Sequence, residues 1–112
     1  MKIEMNIGGK SCVFFKDITP EERTYILSAL KRITKDSAII EKTTENLDAE
    51  NRGTTISTDK RVMVLIGPQS SKSEFLNTLA HEVRHVVDSL DIDNVSPAQL
   101  TGEIFAHFAD WV

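Results

Sequence analysis

The sequence predicts a single α+β domain, and three observations lead to that class. Segments typical of strands, with period-2 alternation or short apolar runs, surround one helical segment in residues 1–66. Two longer segments with helical periodicity follow in the rest of the chain. The length of 112 residues suits one modest core, so we assign residues 1–112 to one domain.

The chain begins with a predicted hairpin and a helix. Residues 1–7 alternate apolar and polar side chains, Gly8-Gly9 is typical of a turn, and residues 12–15 supply the return strand. The helix begins with Thr19 as N-cap and Pro20 in the first helical position. Glu22 completes a capping box, and we expect the helix to end near Lys35.

Three further strands and a loop are predicted next. Residues 38–42 carry the adjacent pair Ile39 and Ile40 and favour a strand, whereas the polar residues 46–53 favour a loop. Residues 54–57 form a short strand candidate. Residues 62–66 are the most apolar strand candidate, and Gly67-Pro68 ends it.

Two capped helices complete the prediction. Ser71 and Glu74 indicate a capping box before a helix at about residues 72–90. Ser96 and Pro97 indicate a second helix at about residues 97–111.

Charge, hydropathy and cysteine content indicate which partners and which cellular location to expect. A formal net charge of −4 argues against a bulk electrostatic attraction to nucleic acid or an anionic membrane, so we expect neither partner. No segment has the length and apolar character of a signal peptide or transmembrane helix, and the single Cys12 cannot form an internal disulfide. We therefore expect a cytoplasmic protein with Cys12 as a small buried side chain, and leave the oligomeric state open.

The pattern H-E-x-x-H stands at His81, Glu82 and His85. Residues four apart lie above one another on a helix, so both imidazoles can reach one zinc ion at about 2.0–2.1 Å. Glu82 is offset by one residue and would lie beside the metal. There its carboxylate can take a proton from a metal-bound water and pass it to a leaving amine.

A helical wheel at about 100° per residue supports this arrangement. With Phe75 at zero, the apolar residues fall between roughly 0° and 140°, whereas His81 and His85 fall near 240° and 280°. Given three histidines in the chain, about 0.006 chance matches to the pattern are expected. The alternative interpretation is a solvated polar face with two unrelated histidines.

A zinc site open to water needs a third protein ligand, and Glu103 on the next helix is the leading candidate. Glu103, His107 and Asp110 form a polar stripe there, and a close approach to the motif helix would explain Gly102 in a helix interior. Two alternatives for the third ligand remain. Asp91 has the spacing of the metzincin pattern, and His107 could replace Glu103, or support the site from outside the ligand set. Asp88 would orient a ligand histidine or be solvated, and Asp110 would lie at the surface.

The segment from Glu74 to Trp111 resembles the zincin metallopeptidases, specifically their gluzincin branch. Those enzymes carry H-E-x-x-H on one helix and a glutamate ligand on a following helix; Glu103 lies 18 residues after His85, within that branch's spacing. The chain is also similar in size to the minigluzincins, and residues 62–79 look like small phage- or mobile-element-associated bacterial proteins. Gluzincins often carry an aspartate four residues after the glutamate ligand, where this chain has His107.

This resemblance implies a small zincin-like fold, with a mixed sheet packed on the motif helix and a C-terminal helix supplying the third ligand. It implies a zinc metallopeptidase, active or latent, in which His81, His85 and Glu103 hold Zn²⁺ and Glu82 is the catalytic base. The substrate would be a peptide or protein, and residues 54–66 would contain the upper rim of the cleft. The alternative function is a non-catalytic zinc-binding regulatory or scaffold domain that retains the site.

Overall fold

A mixed four-stranded sheet forms the centre of the fold in the computed structural model, which describes residues 1–90, 95–109 and 111. The strands are β1 (Lys2–Ile7), β2 (Lys10–Phe15), β3 (Gly53–Ser57) and β4 (Arg61–Ile66). Their order in the sheet is β1-β2-β4-β3. The β2–β4 pair is parallel, whereas β1–β2 and β3–β4 are antiparallel, so β1 and β3 are the edge strands.

Four helices cover the sheet within the described residues: α1 (Pro20–Ile33), α2 (Ser37–Asp48), α3 (Lys72–Leu90) and α4 (Pro97–Ala106). Successive strand residues point to opposite faces, which divides the core in two. Phe14 packs with α3 and α4 on one face, and Phe15 packs with α1 and α2 on the other. The described chain is therefore a small α+β domain, as predicted.

The predicted helix starts are confirmed by their caps. Thr19 and Glu22 form the reciprocal capping box of α1, with Pro20 in the first helical position. The hydroxyl of Ser71 accepts a hydrogen bond from the backbone N–H of Glu74, and Ser96 caps α4 in the same way. These side chains satisfy N–H groups that have no partner inside the helix.

The predicted strand at residues 38–42 is wrong, because these residues belong to helix α2. Asp36 caps that helix by accepting a hydrogen bond from the N–H of Ala38. Ile40, Thr43 and Leu47 then recur at helical spacing on the inner side of α2. The helix continues to Asp48, so it also takes the first part of the loop predicted at residues 46–53.

The C-terminal helix is shorter than predicted. α4 ends at Ala106, and residues 107–109 form turns instead of continuing to Trp111. Phe108 and Trp111 nevertheless enter the core beside α3, where their rings lie 5.2 Å apart. This burial holds the end of the described chain against the sheet.

Among the described residues, α3 is the longest helix, and neither it nor any other has the length and apolar character needed to cross a membrane.

Candidate metal centre

Helix α3 positions the motif by packing its apolar side on the sheet. Val83 and Val86 are buried in the core shared with β2 and β4, whereas His81 and His85 are exposed on the other side of the helix. The wheel prediction for both histidines is therefore confirmed. Since α3 continues without interruption from Lys72 to Leu90, both imidazoles are carried on one helix.

The two imidazoles converge on one point. The Nε2 atoms of His81 and His85 lie 3.1 Å apart, and the ring planes meet at 81°. Without a metal, one Nε2–H can donate to the other Nε2. The same convergence makes both nitrogens available to a single ion on the exposed surface of α3.

This spacing fits a zinc ion. Two nitrogen ligands of a tetrahedral zinc, each at about 2.0–2.1 Å, lie about 3.3 Å apart. The observed 3.1 Å separation of the Nε2 atoms is close to that value. Neutral imidazole is also a ligand that zinc prefers, so the donor chemistry and the geometry agree.

Glu82 lies on a different side of α3 from the histidines and is only 3% exposed. Its Oε2 accepts a hydrogen bond from the hydroxyl of Thr55 on strand β3, at 2.5 Å. An O–H···O⁻ bond of this length is typical of a charge-assisted pair. A side chain of the edge strand β3 thus holds the glutamate of the motif.

Strand β3 can approach Glu82 closely because residue 53 is glycine. A Cβ atom on Gly53 would lie 2.8 Å from Cγ of Glu82 and 3.0 Å from Cγ2 of Thr78. Both distances are shorter than normal carbon contacts, so a larger residue would displace Glu82 or the strand. Glycine in a strand often marks such a close approach.

Thr78 lies one helical turn before Glu82, on the same side of α3. Its side chain connects the helix to the loop that follows β4. Its hydroxyl donates to Oε1 of Gln69 at 2.9 Å, and Nε2 of Gln69 donates to the carbonyl of Gly67 at 3.0 Å. Two hydrogen-bonded connections therefore join α3 to the β3–β4 edge, one through Thr55 and one through Gln69.

The predicted third ligand, Glu103, is not brought together with the histidine pair. Thr101 and Phe105 line a groove of about 420 Å³ between α3 and α4. Glu103 lies two residues from each of them, about 200° around the helix, and is exposed. Across residues 1–90, 95–109 and 111, no three His, Cys, Asp or Glu side chains form a group suited to a metal. Glu103 stays a prediction as a metal ligand.

The other predicted candidates are also dispersed. His107 is exposed at the C-cap of α4, and its backbone N–H bonds to the carbonyl of Ile104. Asp88 is exposed near the end of α3, where it lines the groove between α3 and α4. Asp91 and Asp110 lie outside the described residues.

The structure also tests the predictions for Gly102 and Cys12. The predicted close approach at Gly102 is wrong, because a Cβ atom there would meet no atom within 4 Å. Cys12 is buried in β2 as predicted, and its burial raises the pKa of the thiol, while the charge of Lys10 has a smaller opposing effect.

Four residues around Glu82 were not among those predicted from the sequence: Gly53, Thr55, Thr78 and Gln69. A glycine before a Thr-rich strand was a signal for close packing, although it did not indicate the partner. Glu82 itself falls at about 340° on the α3 wheel, roughly 20° from the edge of the apolar arc. That position indicated burial beside the sheet.

No family model, curated protein or solved structure matches this chain.

Proposed function

We propose that this protein is a zinc-dependent peptidase in which His81 and His85 bind the metal and Glu82 transfers the proton. The observation that carries the proposal is the convergence of the two Nε2 atoms at 3.1 Å on an exposed helix face. The H-E-x-x-H pattern places Glu82 between them in sequence, and supports hydrolysis over simple metal storage. The substrate class is a peptide or protein.

Zinc held there would polarise the scissile carbonyl and lower the pKa of a water molecule toward about 7. Glu82 has two oxygens with different tasks. Thr55 engages Oε2, which leaves Oε1 to take a proton from the attacking water. Oε1 then returns that proton to the amine nitrogen as the peptide C–N bond breaks.

The third ligand in this proposal is Glu103, as the resemblance to gluzincins implies. Because Glu103 faces away from the α3 groove, its ligation requires α4 to turn relative to α3. Asp91 and His107 are the alternative third ligands. Whichever residue is the ligand, its replacement by alanine should cause loss of the metal.

A non-catalytic zinc site is the second candidate, and the burial of Glu82 favours it. A general base must reach the attacking water, but Glu82 is 3% exposed and hydrogen-bonded to Thr55. In that case zinc would stabilise the fold or a partner contact instead of activating water.

Metal analysis of protein purified without added zinc, followed by zinc titration, tests the site. We expect one zinc per chain in the wild type and its loss in His81→Ala and His85→Ala. Glu103→Ala, Asp91→Ala and His107→Ala identify the third ligand, with Glu41→Ala on α2 as an exposed glutamate control.

Cleavage of a quenched-fluorescent peptide library tests the chemistry. We expect activity in zinc-loaded wild type, and a loss of at least about a hundredfold in Glu82→Gln with zinc content retained. Activity that survives Glu82→Gln would contradict the mechanism. One bound zinc without any cleavage would favour the non-catalytic function.

A further inference from the structure

We propose that Thr55 is a positioning residue for Glu82 and that Gly53 provides the space in which it acts. This inference rests on the proposed peptidase function and adds strand β3 to its machinery. The H-E-x-x-H helix alone does not fix the orientation of its glutamate, because a glutamate side chain has three rotatable bonds.

The hydroxyl of Thr55 is the group that selects one orientation. It donates to Oε2 of Glu82 at 2.5 Å, across 27 residues of sequence. None of the ion pairs formed by the described residues includes Glu82. The carboxylate is thus held by a neutral donor, which fixes one oxygen and leaves the other for proton transfer.

Thr55 is itself held rigidly, although β3 is an edge strand. It pairs with Val64 in the antiparallel ladder, and Val64 is fully buried in the interior strand β4. On the opposite face of β3, Nδ2 of Asn46 donates to the hydroxyl of Thr54 at 3.1 Å. A donor fixed on a strand in this way orients its partner more sharply than one on a loop.

Gly53 sets the distance between β3 and the glutamate. A side chain at this position would meet both Cγ and Cδ of Glu82, at 2.8 and 3.1 Å. Gly53→Ala therefore crowds Glu82 and Thr78 without removing the Thr55 hydroxyl. Thr55→Val does the reverse, since it removes the hydroxyl and keeps the shape of the side chain.

These two variants separate positioning from simple packing. In zinc-loaded protein with the best-cleaved peptide of the library, we expect Thr55→Val to lower kcat by about tenfold to a hundredfold. KM and zinc content should stay unchanged, and Thr55→Ser should restore kcat. Gly53→Ala should lower kcat as well. Thr44→Val on α2 is the matched control, because it also removes a partly buried hydroxyl that donates a 2.7 Å bond.

A second readout does not depend on turnover. In protein with ¹³C-labelled glutamate, the carboxylate resonance of Glu82, assigned through Glu82→Gln, should move in Thr55→Val and stay in Thr44→Val at the same pH. Folding of each variant is checked by its thermal unfolding curve.

The outcomes distinguish this inference from the proposed function. Active wild type with undiminished kcat in Thr55→Val, or an unmoved Glu82 resonance, overturns the assignment of Thr55 alone. Wild type that binds zinc and cleaves no peptide overturns the peptidase, and with it the role of Thr55 in that reaction.

Discussion

Two glycines in this protein occupy opposite environments. Gly102 lies in the interior of α4, where a Cβ atom would meet nothing within 4 Å, whereas Gly53 lies against Glu82. Glycine costs a helix conformational entropy that alanine does not. The first glycine is therefore replaceable, and the second is required by its neighbours.

Gly102→Ala should stabilise the protein. We expect the free energy of unfolding to rise by about 0.5–1 kcal/mol, because alanine favours the helix and has room for its methyl group. Urea denaturation followed by circular dichroism measures the change. Gly53→Ala is the contrasting control and should destabilise by about 1–3 kcal/mol through overpacking. A destabilising Gly102→Ala would indicate a close approach of α4 to another part of the chain.

At the residue scale, helical periodicity predicted where His81 and His85 point but not what holds Glu82. Both histidines are local consequences of the α3 repeat. The bond from Thr55 to Glu82 depends on strand register and on the docking of α3, and neither is encoded in a short window of sequence. Such long-range contacts are what single-sequence reasoning omits.

At the scale of elements, Arg23 joins α1 to α2. Its two terminal nitrogens donate to the two oxygens of Asp48 at 2.8 and 2.9 Å, in the bidentate geometry that suits a guanidinium. The side chains are 34% and 70% exposed, so water screens the pair.

A double-mutant cycle on Arg23→Ala and Asp48→Ala should give a coupling energy below about 1 kcal/mol. The coupling should weaken in about 1 M salt, because exposed charges are screened there. Arg23→Lys keeps the charge and should lose part of the coupling, since lysine lacks the fork of donors. Thermal unfolding at two salt concentrations measures it, and a coupling that does not respond to salt would contradict a solvent-screened pair.

Residues 38–42 belong to helix α2, although their local sequence favours a strand. Adjacent β-branched residues Ile39 and Ile40 favour a strand locally. The cap at Asp36 and the burial of Thr43 and Leu47 favour a helix, and these residues lie outside the five-residue window. Ile39 is left exposed as a consequence, which a strand buried on both faces would not permit.

At the scale of the whole molecule, Cys12 reports on opening of the fold. Its thiol lies in the central strand β2 with no exposed surface, and burial raises its pKa. Because the thiol has no exposed surface, a thiol reagent reaches native Cys12 only when the sheet opens.

Zinc should slow the reaction of Cys12 with a thiol reagent such as DTNB. Binding to the native state alone favours the closed form by a factor of 1 + [L]/Kd, which is about tenfold at a free zinc concentration near ten times Kd. His85→Ala should remove this protection and otherwise react like wild type without zinc. A wild-type rate that does not change with zinc would contradict a metal site that stabilises the folded state.

The positions of the strands could be predicted from the sequence, but their pairing in the sheet could be predicted only in part. All four strands were located from alternation, apolar runs and turn residues, and the β1–β2 hairpin followed from Gly8-Gly9. The parallel β2–β4 pairing joins segments that are distant in sequence, and no local pattern indicates it. The third ligand of the proposed metal site could not be predicted for the same reason, because its position depends on how α4 is oriented against α3.

The parallel pairing of β2 with β4 also determines the order in which parts of the domain fold. Ser11 to Phe15 can meet Arg61 to Leu65 only after the intervening residues 16–60 have closed into a loop, at an entropic cost that precedes any gain from packing. The surface on which α3 docks, including Phe14 and Val64, is complete only after that step. The bond from Thr55 to Glu82 therefore forms late in folding, because it needs both the paired strand β3 and the docked helix α3. A metal that binds only after α3 has docked would slow unfolding, and so prolong the lifetime of the folded domain, while leaving the folding rate unchanged.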